Sequence, residues 1–141
     1  MYGTLHANNA RETINRLTSP PIDLPKQILS GLSMIVVQHI NRRTGKRRTL
    51  QIAEILPNGD SRTLMQLNPI KDVLEFVNEP AAIIETLNLY TGASKRDIYV
   101  DMQSKITVLK WMAKKRISDI NQIGLIMSKY YINKPVMYKG V

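Results

Sequence analysis

The chain has no cysteine, which excludes a disulfide framework and any thiolate zinc site. Its two histidines, His6 and His39, lack a ligand-like spacing, so no metal centre is expected. No apolar run approaches the ~20 residues of a membrane-spanning helix. No charged-then-apolar leader with a small-residue cleavage site is present, and the cytoplasm is the expected compartment. A phosphate-binding loop needs G-x-x-x-x-G-K-[ST], because its backbone N–H groups and lysine cradle the phosphates. Gly45-Lys46 lacks both the earlier glycine and the hydroxyl. No apolar strand ends in paired acidic residues to hold Mg²⁺, and no Ser-His-Asp arrangement follows from spacing. The chain carries no self-sufficient catalytic set.

What it does carry is positive charge and a core. The 141 residues are 43% hydrophobic, enough for a folded domain. The net charge is +9 and the isoelectric point about 9.9. Such a balance favours anionic partners: nucleic acid, acidic lipid, nucleotide or an acidic protein face. The charge is clustered. Arg42, Arg43, Lys46, Arg47 and Arg48 crowd one short stretch, and Lys105, Lys110, Lys114, Lys115 and Arg116 form a second.

The pattern of residues predicts an α/β chain. Residues 2–5 read as the tail of a buried strand, which needs other strands beside it. The chain thus reads as starting part-way through a domain. Asn8 or Asn9 then caps a helix that runs to about Thr18. With Asn9 as the cap, Glu12 falls where a capping box wants it. Ser19-Pro20-Pro21 stops this helix, and Asp23 caps a second, short one from Leu24 to about Leu32. The apolar run Met34-Ile35-Val36-Val37 predicts a strand covered on both faces. The basic turn 41–48 and the alternating stretch Thr49–Leu56 complete a hairpin. A shorter strand follows at 63–67, while 68–78 reads as either strand or helical lead-in. After Pro80 the period changes to that of helices. One is stopped by Gly92, the next runs from Ser94 to about Lys115, and a last one starts at Ser118-Asp119 and ends at Pro135. Ile98, Met102, Ile106, Leu109 and Met112 form the apolar stripe of the middle helix, and Ile120, Ile123, Ile126 and Met127 that of the last. Trp111, Tyr130 and Tyr131 are expected to pack between helices.

Several residues are candidates for chemistry. His6 sits past a strand end and before a helix N-terminus, where anions are attracted by free N–H groups and the helix dipole. Its imidazole suits a phosphate oxygen, or simply a loop carbonyl. Thr4 and Asn8 can add polar contacts there, although Asn8 also suits a cap. Arg16 can reach a phosphate or a subunit boundary, or be paired at the surface. Gln38, at the end of the apolar strand, can orient water or contact a base, or merely terminate the strand. The basic hairpin of Arg42, Arg43, Lys46, Arg47 and Arg48 suits a phosphate backbone or an acidic neighbour. It has no aromatic residue for base stacking.

The segment Gly3-Thr4-Leu5-His6-Ala7-Asn8-Asn9-Ala10-Arg11-Glu12-Thr13-Ile14-Asn15-Arg16-Leu17 resembles the histidine box of the secretion ATPases. These are the hexameric motors of type II and type IV secretion, type IV pili and the archaeal flagellum. Ser19-Pro20-Pro21-Ile22-Asp23-Leu24-Pro25 is similar to the archaeal branch, and Ser33–Gln38 to the strand that follows the box. Lys110-Trp111-Met112 and Ser128-Lys129-Tyr130-Tyr131 are similar to the tail of that branch. The resemblance implies a partial RecA-like motor core over 1–78 (strand-helix, then β-hairpin and meander), followed by a C-terminal helical bundle over 79–141. It implies that His6 senses the γ-phosphate, with Arg16 and Gln38 near the nucleotide, and Thr4 joins them as a cofactor-binding candidate by its place at the strand end. ATP and Mg²⁺ would be held only in the context of the full-length ATPase. The implied partners are the upstream part of the same ATPase, neighbouring subunits of a ring and an inner-membrane platform protein. That would place the chain in the cytoplasm or peripherally at the membrane. A stand-alone basic module for nucleic acid or an acidic surface is the alternative.

Overall fold

A computed structural model of the chain describes residues 3–133. These residues form a mixed α/β arrangement in two compact units, one ending at Ile83 and one starting at Ile84.

The first unit is built on a four-stranded antiparallel meander. Its strands are β1 (Met34–Ile40), β2 (Arg47–Ile55), β3 (Ser61–Asn68) and β4 (Val73–Phe76), in that spatial order. Consecutive antiparallel strands need only short turns, and here those turns carry the residues that make them. Gly45 (φ 68°) closes the β1–β2 turn and Gly59 (φ 79°) the β2–β3 turn. Register slips at Val37/Gln38 and at Ile52/Ala53 mark two bulges. The helix α1 (Ala10–Leu17) lies on this sheet. Ile14 of α1, Ile55 of β2 and Leu29 are buried together, with Leu17, Leu24 and Ile35 packed around them. Each such aliphatic side chain contributes about 1.5–3 kcal/mol when fully buried.

The second unit is helical. Its elements are α2 (Ala82–Thr91, whose first two residues belong to the first unit), α3 (Lys95–Lys114) and α4 (Ile120–Asn133). Ile84, Ala93 and Ile98 form its core, with Tyr99 against them. Gly92 (φ 65°) ends α2, as its freedom in the left-handed region allows. Ser94 and Asp97 form a reciprocal capping box at the start of α3. The end of α3 is a Schellman closure: Ile117 N–H donates to the Met112 carbonyl and Arg116 N–H to that of Ala113. Asp119 caps α4 by accepting from Gln122 N–H at 2.9 Å. The hydroxyl of Tyr130 on α4 meets Ser104 of α3 at 2.9 Å.

Several expectations are corrected. Residues 3–5 are not strand. They run without regular structure, and Leu5 is exposed, because no strand of the sheet lies beside them to take their hydrogen bonds. The helix expected from Leu24 is a shorter 3₁₀ helix, Lys26–Gly31. Pro25 disfavours helical backbone in the residue before it, and Asp23 is left-handed (φ 50°) rather than a cap. The strand expected to be covered on both faces is the edge strand β1. Only Val37 is buried there, while Met34, Val36 and Ile40 are exposed. The ambiguous stretch 68–78 holds β4. Trp111, Met102, Leu109 and Ile120 are exposed rather than packed, because the helical core is centred on Ile84, Ala93 and Ile98, while Tyr131, itself half exposed, lies edge-on to Tyr130 and beneath Lys105 of α3. The expected stop at Pro135 lies outside the described residues.

Candidate functional site

The segment that leads into α1 is organised by its asparagines. Asn9 has an extended backbone (φ −160°, ψ 169°) and caps α1 by accepting from Glu12 N–H at 2.8 Å. The returning bond of a capping box is displaced by one residue. The Glu12 carboxylate accepts from the backbone N–H and the side-chain amide of Asn8, both at 2.9 Å. It also accepts from Arg16 Nε at 2.8 Å and Nη2 at 2.6 Å. The Asn8 N–H and the Arg16 guanidinium hold this carboxyl below its usual range. Arg16 is thereby tied to Glu12, one turn away on its own helix.

The first amide of α1 is held from the sheet. Gln51 of β2 accepts from Ala10 N–H at 2.7 Å and donates to the Thr63 hydroxyl at 2.9 Å. One side chain thus fixes α1 to β2 and aligns β2 with β3. Beside it runs a shallow cleft of about 370 Å³, lined by Asn9, Ala10, Arg11, Gln51, Ser61 and Thr63. A second cleft of about 560 Å³ shares Arg11 and Ser61 and reaches Lys26 and Asp60, which form an ion pair.

The expected site residues do not converge on these clefts. Thr4 and His6 are exposed in the irregular stretch ahead of α1. Arg16 faces solvent with Glu12. Gln38, on the edge strand, donates to the Thr49 hydroxyl at 3.1 Å. Thr4, His6, Arg16 and Gln38 line neither cleft. The expected anion site at the start of α1 is also corrected. Two of its leading amides are spent on Gln51 and Asn9, and the Glu12 carboxylate sits at the same end. That end of α1 is therefore poorly suited to a phosphate.

The basic hairpin keeps most of its charge free for solvent. Arg42, Arg43, Lys46 and Arg47 are exposed. Arg48 instead makes a bidentate pair with Asp72, at 2.8 and 2.7 Å. That bond raises the Arg48 pKa and lowers that of Asp72. Among the described residues, no group of three or more His, Asp or Glu is placed to hold a metal ion. Nor is any helix among them long and apolar enough to cross a membrane.

Two structural anchors escaped the reading of the sequence. Gln51 is one. The other is Glu54, fully buried in the sheet and bound by Arg62. A buried acid inside an otherwise apolar strand end (Ala53-Glu54-Ile55) was the available signal.

No protein-family model matches the chain. It is 33% identical over 147 residues to the uncharacterized protein MJ0781 of Methanocaldococcus jannaschii, an alignment covering 99% of this chain and 20% of that protein. It is 29% identical over 142 residues to the uncharacterized protein MJ0900 of the same organism, covering 93% of this chain and 26% of that protein. Against the uncharacterized protein MJ1287, also of that organism, the identity is 29% over 121 residues, covering 80% and 44%. The chain spans between a fifth and less than half of these curated relatives.

Proposed function

We propose that this chain is the C-terminal portion of a hexameric motor ATPase of secretion or pilus assembly, working in the cytoplasm. The observation that carries this reading is the box segment itself. Residues 3–17 place an exposed His6 directly ahead of a helix that Asn9 caps and Gln51 fastens to the sheet. A rigid helix behind an accessible imidazole suits a group that must meet a phosphate supplied from elsewhere. The lengths of the M. jannaschii relatives are in keeping with a segment that works inside a longer polypeptide.

In this reading the sheet and α1 are the closing part of a RecA-like core. ATP and Mg²⁺ are held by a phosphate-binding loop and acidic residues on the remainder of the motor. His6 lies near the γ-phosphate, where loss of that phosphate removes its hydrogen-bond partner. Thr4 adds a hydroxyl on the same stretch. Arg16 and Gln38, bound to Glu12 and Thr49, serve the site only after exchanging those partners. Hydrolysis is then coupled to domain movement around a ring. The helical unit packs within or between subunits, or meets a membrane platform protein.

The test is the intact mass of the native product, captured from its source cells with an antibody to this chain. A product well above 16.1 kDa is expected. A product at that mass contradicts the motor reading.

A further inference from the structure

Two turns at one end of the sheet are built by the same device. In the β1–β2 turn, Asn41 Oδ1 accepts from the backbone N–H of Arg43 at 3.0 Å and of Thr44 at 3.1 Å. In the β3–β4 turn, Asn68 Oδ1 accepts from Ile70 N–H at 3.1 Å and Lys71 N–H at 3.2 Å. Such side-chain-closed turns hold their crests in a fixed shape. The antiparallel register brings both to the same end, since β2 starts at Arg47 where β3 finishes at Asn68. The Arg48–Asp72 pair then ties one turn to the other.

The two crests differ in chemistry. The first carries Arg42, Arg43, Lys46 and Arg47, all exposed. No Asp or Glu occurs in the sequence between Asp23 and Glu54, so the turn supplies no counter-charge of its own. The second crest carries Ile70, which is 94% exposed. Ile40 and Val73, at the adjoining strand ends, are about half exposed.

Cations alone suit any polyanion, and Ile70 narrows the choice. A phosphate backbone has no use for an isoleucine held out on a turn, and neither crest has an aromatic ring for stacking on bases. An anionic membrane surface uses both features. Its headgroup phosphates attract arginine and lysine, and its headgroup–acyl boundary accepts an apolar side chain. We propose that this end of the sheet docks on an anionic lipid surface, with Arg42, Arg43, Lys46 and Arg47 on headgroup phosphates and Ile70 inserted at the boundary. The inference stands apart from the motor reading, because it concerns neither His6 nor nucleotide.

The test is co-sedimentation of the 141-residue chain with vesicles of equal parts phosphatidylglycerol and phosphatidylcholine, and with vesicles of phosphatidylcholine alone. Binding to the anionic vesicles is expected, weakened by salt. Arg42→Ser with Arg43→Ser is expected to lower partitioning about 25-fold, at roughly fivefold per charge. Ile70→Ser leaves the charge unchanged and is expected to lower it about fivefold. Ile70→Trp is expected to raise it, with an unchanged unfolding midpoint and no sedimentation in the absence of vesicles. Equal binding to neutral vesicles overturns the proposal, as does partitioning that ignores both changes at Ile70. Capture of duplex DNA without vesicle binding overturns it in favour of a nucleic-acid surface.

Discussion

Arg62 on β3 lays its guanidinium on the carboxylate of Glu54, its register partner on β2, with Nε at 2.8 Å. Glu54 is fully buried, while the arginine is about one-third exposed. The same carboxylate accepts from the backbone N–H of Ala81 and of Ile83, at 3.2 Å each. Arg62 also donates to the Glu79 carbonyl at 3.1 Å. The pair therefore fastens residues 79–83 to the sheet at the end of the first unit.

Removing that acid should be costly. Glu54→Ala leaves two backbone donors without acceptors and a cation without its partner. The expected loss is about 3 kcal/mol or more, read as a lower urea midpoint at unchanged slope. A loss below about 1 kcal/mol would mean that water or another acceptor replaces the carboxylate.

The same acid sets a pH dependence. Burial pushes the Glu54 carboxyl up, but the Ile83 N–H, Arg62 and the Ala81 N–H outweigh it and hold it below its ordinary 4.5. The folded state thus binds this proton less readily than the unfolded chain. The stability it supplies is present above about pH 4.5 and is lost as pH falls through the folded value. Unfolding midpoints of the wild type should fall over that acid range. Those of Glu54→Gln should fall less steeply, and parallel curves would exclude Glu54 as the source.

Gln51 is the hinge pin of α1. Gln51→Leu keeps the volume but removes the acceptor for Ala10 N–H and the donor to Thr63. The expected cost is about 1–2 kcal/mol. Amide exchange should speed up most at Ala10, and unchanged exchange there would contradict the assignment.

The end of α3 holds a strained residue. Arg116 sits at φ 55° in the Schellman closure, a position that favours glycine. Arg116→Gly should raise stability by about 0.5–1 kcal/mol, measured by thermal unfolding. A drop would show that the arginine side chain makes up for its backbone.

Local signals are legible in the chain, and relations across the fold are not. The Asn9 cap, the hairpin, the stop at Gly92 and the Ser94 cap each depend on residues within a few positions of one another. Chemistry of that range is written in order along the chain. The edge status of β1 depends on what lies beside it, which an apolar run such as Met34–Val37 does not specify. Arg48 and Asp72 stand 24 residues apart, and Gln51 meets Ala10 and Thr63 from 41 and 12 residues away. Ile70 carries no sequence signal, since a single isoleucine between Pro69 and Lys71 has no period. At the candidate site the capped helix was legible, but the exposed stretch ahead of it resembles a strand end in sequence and lacks the neighbouring strand that would make it one. The commitment of Arg16 to Glu12 and of Gln38 to Thr49 required the side chains themselves.

His6 is the residue on which the proposed motor role depends, and the most direct measurement is made on the intact ATPase of that proposal. ATP affinity and turnover should be compared with and without His6→Ala. With a γ-phosphate-sensing His6, kcat falls by about 10- to 100-fold while ATP affinity stays within about twofold. Unchanged turnover, or a collapse of affinity with turnover per bound ATP preserved, would contradict that role.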